Sequence, residues 1–450
     1  MAVHPPEAGA AAKPPGAGPE PGLHRTLGPW TIWGLGVGYV ISGEYFGWNL
    51  GLPSAGSVGM VVATLVVTLF YALFVSSYAE IAAALPRAGG AFVYAERALG
   101  RDLGAVAGLA QLAEFVFAPP AIAAAIGAYF ALFLPGVDPT LIATGAFVVF
   151  VGLNMWGVKQ SAIFELVVTA LAVGELLLFC GVALPHFDGA AFLREPLPMG
   201  WAGVLPAIPF AIWFYLGIEG VANIAEEARD PQRDLARGFG WSMLTLGVLA
   251  LLVLFAAVGV DGWRAVVYDA DGVAVDRPLP LALGRIVSPD HPLFHLLVTV
   301  GLFGLFASFH GILLVAGRAT MALGQSGLLP RVLGRSHATR QTPVAALLVV
   351  LAIGLVALWS GKTGDIITLA VLGALTMYGL SLVSFLQLRW REPDLHRPYR
   401  APGHPVLPSI GLLLCVLCLA AVVYSAPWVA ALFALWLGGG WATLRVLRRL

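Results

Sequence analysis

Apolar residues run along this chain in long stretches separated by short clusters of charge, proline and glycine, and the stretches recur at the length of a bilayer crossing. They place about twelve helical spans, near 28–50, 58–84, 103–134, 139–158, 162–184, 203–226, 239–260, 293–317, 343–360, 365–388, 406–425 and 427–445. The expected fold is an all-α integral membrane protein. Residues 1–24, rich in Ala, Pro and Gly, carry no apolar core and read as a disordered tail, leaving 25–450 as one membrane domain.

Composition agrees with the pattern. Of 450 residues, 59% are hydrophobic and 11% charged, and the mean hydropathy is +0.86, too apolar for a domain whose solvent is water. Net charge is zero, which gives no electrostatic case for nucleic acid, so the informative quantity is where the charges lie. Arg87, Arg97, Arg101, Lys159, Arg229, Arg233, Arg237, Arg331, Arg335, Arg340, Arg389, Arg391, Arg397 and Arg400 fall in one set of alternate loops. The opposite set holds only Arg194, Arg264, Arg277, Arg285 and Lys362. The positive-inside rule makes the first set, and both termini, cytoplasmic in a plasma (inner) membrane.

Several chemistries find no support. Cys180, Cys415 and Cys418 lie inside apolar runs and read as small reduced hydrophobes; the Cys415-x-x-Cys418 pair has no second pair or histidine beside it. The external segment Asp269–Asp276, DADGVAVD, lacks the third alternating ligand and closing Glu of a calcium loop and reads as solvated. There is no phosphate-binding GxxxxGK[ST], no HExxH and no GxSxG. No metal, no cofactor and no enzyme activity are expected.

Two spans depart from a continuous apolar helix. Span 1, GLGVGYVISGEYFGWNLGLP, places Ser42, Gly43 and Glu44 near the bilayer midplane, where three non-aliphatic residues suggest unwinding. Span 6, PAIPFAIWFYLGIEGVANIAEE, brackets Glu219 with Gly217 and Gly220 at similar depth. Five crossings separate them, so they run in opposite directions. Irregular backbone at depth is tolerated only against protein or a water-filled cavity, and paired breaks point to a central transport site. Close helix packing through glycine is the competing explanation.

With these segments go LPRAGGAFVYAERALG (85–100), IEGVANIAEEARDP (218–231), GRATMALGQSGLLP (317–330) and LRWREPDLHRPYRAP (388–402). Together they resemble the amino acid, polyamine and organocation transporter superfamily over essentially the whole ordered chain. VGYVISGEYFGWNLGLP and EFVFAPPAIAAAIGAYF (114–130) are similar to the ethanolamine permeases. The resemblance implies two inverted repeats of five helices, 28–184 and 203–388, with two more at 406–445, and alternating access.

Within the superfamily, a glycine-rich break in span 1 receives the substrate carboxylate on free N–H groups. Here that place reads Ser42-Gly43-Glu44, so a protein carboxylate stands where the substrate's would sit, and a carboxylate-free amine is expected. Ethanolamine needs a counter-charge, a partner for its hydroxyl and little volume. Glu44, Glu219 and freed carbonyls supply the first; Tyr45, Trp213, Phe214 and Tyr215 are candidate walls. Glu44 capping its own half-helix is the alternative. Glu114 and Glu175 are candidate proton sites, with Glu165 placed nearer the cytoplasmic end, while Ser308 and His310 are candidates for ion coupling or gating. Some proton-coupled relatives carry a lysine on span 5; Ala172 stands there, so H+ and Na+ both stay open. The rival readings are an amino acid or polyamine permease of the same fold and, from a different class, a transporter-like sensor.

Overall fold

A computed structural model describes residues 27–86, 89–157 and 162–446. The tail at 1–24 and the basic residues Arg87 and Lys159 lie outside the described residues. The twelve long apolar runs form α1 (Pro29–Val40), α2 (Leu52–Ala84), α3 (Arg101–Phe130), α4 (Pro139–Trp156), α5 (Ala162–Ala183) and α6 (Val204–Trp213). They continue as α7 (Pro231–Asp261), α8 (Pro292–Gln325), α9 (Val344–Leu358), α10 (Thr363–Arg391), α11 (Val406–Ser425) and α12 (Pro427–Val446). Among the described residues ten helical stretches are long and apolar enough to cross a membrane, α6 only together with the turns around it (Gly200–Ala222); α1 and α9 are shorter, α1 because its span is broken. Among the described residues there are two isolated β-bridges and no strand.

Span 1 does not end where α2 begins. Leu52–Ala84 is interrupted at Gly56, whose φ of 64° and ψ of −172° no helix holds, so Leu52–Ala55 finishes the first crossing and Ser57 starts the second. Pro196 closes on that corner, accepting from the Val58 amide at 3.2 Å.

Burial sorts the helices into layers. In α3 the apolar stretch is 89% buried, and in α8 and α10 72%, whereas α12 is 17% buried and α4 22%. The first three line the centre and the last two face lipid. Gly373 of α10 sits so close to α3 that a Cβ there would lie 2.6 Å from the Ala110 carbonyl. Trp156 and Trp390 at one end of the bundle, and Trp201, Trp359 and Trp428 at the other, are exposed, as two interfacial aromatic belts require.

The ends differ. At the basic end, Glu80 of α2 is buried and takes both Arg389 guanidinium contacts (2.7 and 2.6 Å), Arg397 Nε at 3.1 Å and the Ala401 amide at 2.7 Å. Arg397 also donates to the carbonyls of Leu388, Glu392, Pro393 and Leu395, which fastens the loop after α10 to α2. Beside it, Arg97 holds the Glu392 carboxyl below its usual range through a 2.6 Å contact. At the opposite end Asp269 accepts from the Asp271 and Val273 amides, closing a small turn paired at Tyr268 and Ala274. This loop packs over the outer part of span 1, where the Asn49 amide donates to the carbonyls of Val266 and Val275. Thr363 donates to Asp276 at 2.8 Å, and burial pushes that carboxyl up to about 6.

Candidate functional site

The first break lies later than the glycine pattern places it. Ser42–Tyr45 stays helical after a tight turn at Ile41, with the Glu44 amide bonded to the Ile41 carbonyl at 3.0 Å. The chain opens instead at Phe46, which is extended, and at Gly47, with φ of 89°, before the 3-10 turn Trp48–Gly51. Gly43 serves another purpose: a Cβ there would stand 2.3 Å from the Trp213 carbonyl oxygen, so only glycine lets span 1 meet the end of α6 backbone to backbone. The second break is where the sequence places it, between Trp213 and the 3-10 helix Ile218–Glu227, turning at Gly217 with φ of 96°.

Side chains from neighbouring spans satisfy the groups these breaks release. Tyr129 of α3 donates to the Tyr45 carbonyl at 3.0 Å, and Trp48 Nε1 to the Glu44 carbonyl at 3.1 Å. The Gly47 amide donates to Asn49 Oδ1, and Ser308 of α8 lies 2.8 Å from both the Tyr39 carbonyl and Ser42 Oγ. The Glu44 carboxylate is different. It is fully buried, and neither oxygen has a hydrogen-bond partner among the described residues. Trp213 Nε1 is likewise buried and unsatisfied. Glu44 therefore does not cap its own half-helix.

The aromatic candidates separate. Trp213 packs against Gly47 and sets its ring edge to Phe46 at 5.4 Å, within the junction of the breaks. Phe214 stacks on Trp48, while Tyr215 turns to α2, 2.6 Å from Thr68 and with its ring tilted against Tyr71. Tyr45 faces away from the junction, its hydroxyl 2.7 Å from Glu175 of α5 and its ring against Gly301 and Gly304 of α8.

A second cluster forms just beyond the break in span 6. Tyr378 of α10 donates to Glu219 at 2.6 Å and approaches Glu114 of α3 at 3.4 Å, and the Tyr71 hydroxyl lies 3.4 Å from that of Tyr378. Glu114 Oε2 and Glu219 Oε1 are buried and have no hydrogen-bond partner among the described residues. Gly220 packs on the ring of Tyr39. His310 stands apart, bonded to Asn154 of α4 at 3.0 Å.

Glu165 lies in the first turn of α5 and is fully buried, where a Cβ on Gly38 of α1 would stand 2.5 Å from its Oε1. Tyr378, Tyr71 and Tyr129 were not anticipated. The only signal for them was a phenol inside an apolar run.

Comparison with known proteins bears on what this arrangement serves. The amino acid permease family matches residues 27–436. The chain belongs to that family. It is 30% identical over 415 residues to an uncharacterized transporter of Rhizobium meliloti, covering 89% of this chain and 87% of the relative. It is 27% identical over 447 residues to the branched-chain amino acid permease of Bacillus subtilis, covering 93% and 92%. A vacuolar cationic amino acid transporter of Arabidopsis thaliana is 29% identical over 343 residues, covering 70% of this chain and 52% of the relative. This permease is thus a multi-pass membrane transporter with a helical fold of the amino acid, polyamine and organocation type, and its substrate is a small organic molecule.

Proposed function

We propose that this permease takes up ethanolamine, or an amine of similar size without a carboxylate, with Glu44 as its counter-charge. The observation that carries this reading is the Glu44 carboxylate, fully buried and without a hydrogen-bond partner among the described residues, at the meeting of two broken spans. A buried charge without a partner is costly, so a cation entering this place relieves the cost on binding. The amides of Ile41, Glu44 and Gly47 are already taken within the protein, which speaks against a site built for a substrate carboxylate. Trp213 Nε1, without a partner among the described residues, is a donor at the same junction for a hydroxyl oxygen.

For coupling we infer a proton. Glu114 and Glu219 are buried and share the Tyr378 hydroxyl, two carboxylates so placed oppose each other's charge, and Glu219 lies two residues from the turn at Gly217. Movement of the repeats 28–184 and 203–388 against each other about this centre gives alternating access in a plasma membrane, with the basic end cytoplasmic. The relatives named for branched-chain and cationic amino acids support a second reading, an amino acid permease.

Uptake of labelled ethanolamine into proteoliposomes, with imposed proton or sodium gradients and with competing amino acids and polyamines, separates these. Uptake driven by an inside-alkaline gradient and insensitive to zwitterionic amino acids is the expected result. Saturable uptake of leucine or lysine without ethanolamine transport overturns the substrate, and a response to sodium alone overturns the coupling.

A further inference from the structure

One apolar cavity lies apart from the transport site. It is a groove of about 470 Å³ on the lipid side of the bundle, between α2 (Thr68, Ala72, Ala79) and α7 (Phe239, Gly240, Leu244). Leu244 and Val248 on its rim are exposed, as lipid-facing residues are. The hydroxyls within it are already engaged, Thr68 with Tyr215 and Ser76 with Tyr399, so the walls offer hydrocarbon contact. On α7 the groove runs from Ala236 to Val248, about 18 Å at 1.5 Å per residue, close to the depth of one leaflet of a roughly 30 Å core.

At the basic end this groove runs into a second cavity of about 450 Å³, lined by Arg233, Arg237, Asp230 and Pro398, and the two share Ala236 and Tyr399. Arg233 and Arg237 are exposed and make no ion pair with a described residue; Asp230 on the same rim leaves it net positive. We propose that this continuous cleft is a binding site for one anionic phospholipid, its acyl chain between α2 and α7 and its phosphate between Arg233 and Arg237. An apolar slot of one-leaflet depth ending in two arginines matches a lipid with a charged head and fits neither a soluble anion nor a zwitterionic lipid as well. The site is independent of the transported substrate.

The test is lipid binding to the purified full-length protein, read by native mass spectrometry during titration with palmitoyl-oleoyl phosphatidylglycerol or phosphatidylcholine. Phosphatidylglycerol is expected to bind more tightly. Replacing both arginines, Arg233→Gln with Arg237→Gln, lowers that affinity about 25-fold, roughly fivefold per arginine. Gly240→Leu leaves both arginines in place, and its Cβ meets nothing within 4 Å, so it folds while filling the groove. It costs about tenfold or more, the worth of two displaced methylenes. Equal binding of the two lipids, or wild-type affinity in the double variant, overturns recognition of the head. Wild-type affinity in Gly240→Leu overturns the acyl slot, and a dimer that this variant dissociates makes the groove a self-interface instead.

Discussion

Two residues carry most of the chemistry proposed for the centre. Glu44→Gln keeps the shape and removes the charge, so ethanolamine uptake falls about tenfold to a hundredfold, the worth of one charged hydrogen bond, while the melting temperature in detergent holds or rises. Unchanged affinity and rate would take Glu44 out of the site. Tyr378→Phe removes the hydroxyl that ties Glu219 and Glu114, and the expected outcome is a displaced pH profile of uptake at nearly unchanged substrate affinity. A simple fall in amount of folded protein would make Tyr378 structural. Glu44 was legible in the sequence because an acid in a lipid-length run has few uses. Tyr378 was not, since its partners are 159 and 264 residues away and nothing local marks a phenol that bridges them.

At the scale of elements, the twelve spans could be read directly because lipid imposes one composition and one length on them. The position of the first break could not. Glycine has two uses at membrane depth, a dihedral that other residues avoid and room for another backbone. Gly47 has the first and Gly43 the second, and local sequence does not tell them apart. The burial of Glu165 was hidden for a related reason, because it depends on packing against Gly38 of α1. Gly43→Ala tests the assignment. Its Cβ forces span 1 and the end of α6 apart at Trp213, costing about 1–3 kcal/mol and most transport, measured by melting and by uptake. Tolerance of alanine there would mean that the spans do not meet.

For the whole molecule, the closures at the two ends are built differently. Glu80→Gln strips a buried carboxylate from Arg389 and Arg397, and losing one partner of such a cluster costs about 3–5 kcal/mol. The expected result is a lower melting temperature with faster labelling of a cysteine introduced at the basic end. At the other end Asp276 titrates. Its pKa is raised from 3.8 to about 6, so the protonated form is the one the fold prefers. The stability it contributes is complete below pH 3.8 and is lost as pH rises through 6. The melting temperature should fall between those values, and Asp276→Asn should flatten the fall; an unchanged slope in that variant assigns the effect elsewhere.

Asn49 adds one consequence. Its single amide grips the outer loop at two points, Val266 and Val275, while its own segment hangs from the joint at Phe46 and Gly47. The loop is then ballast on the outer half of the first span. Any swing of that half toward the outside must either carry the loop along or tear both bonds. Shortening the loop should therefore change how quickly the transporter resets as well as how it folds.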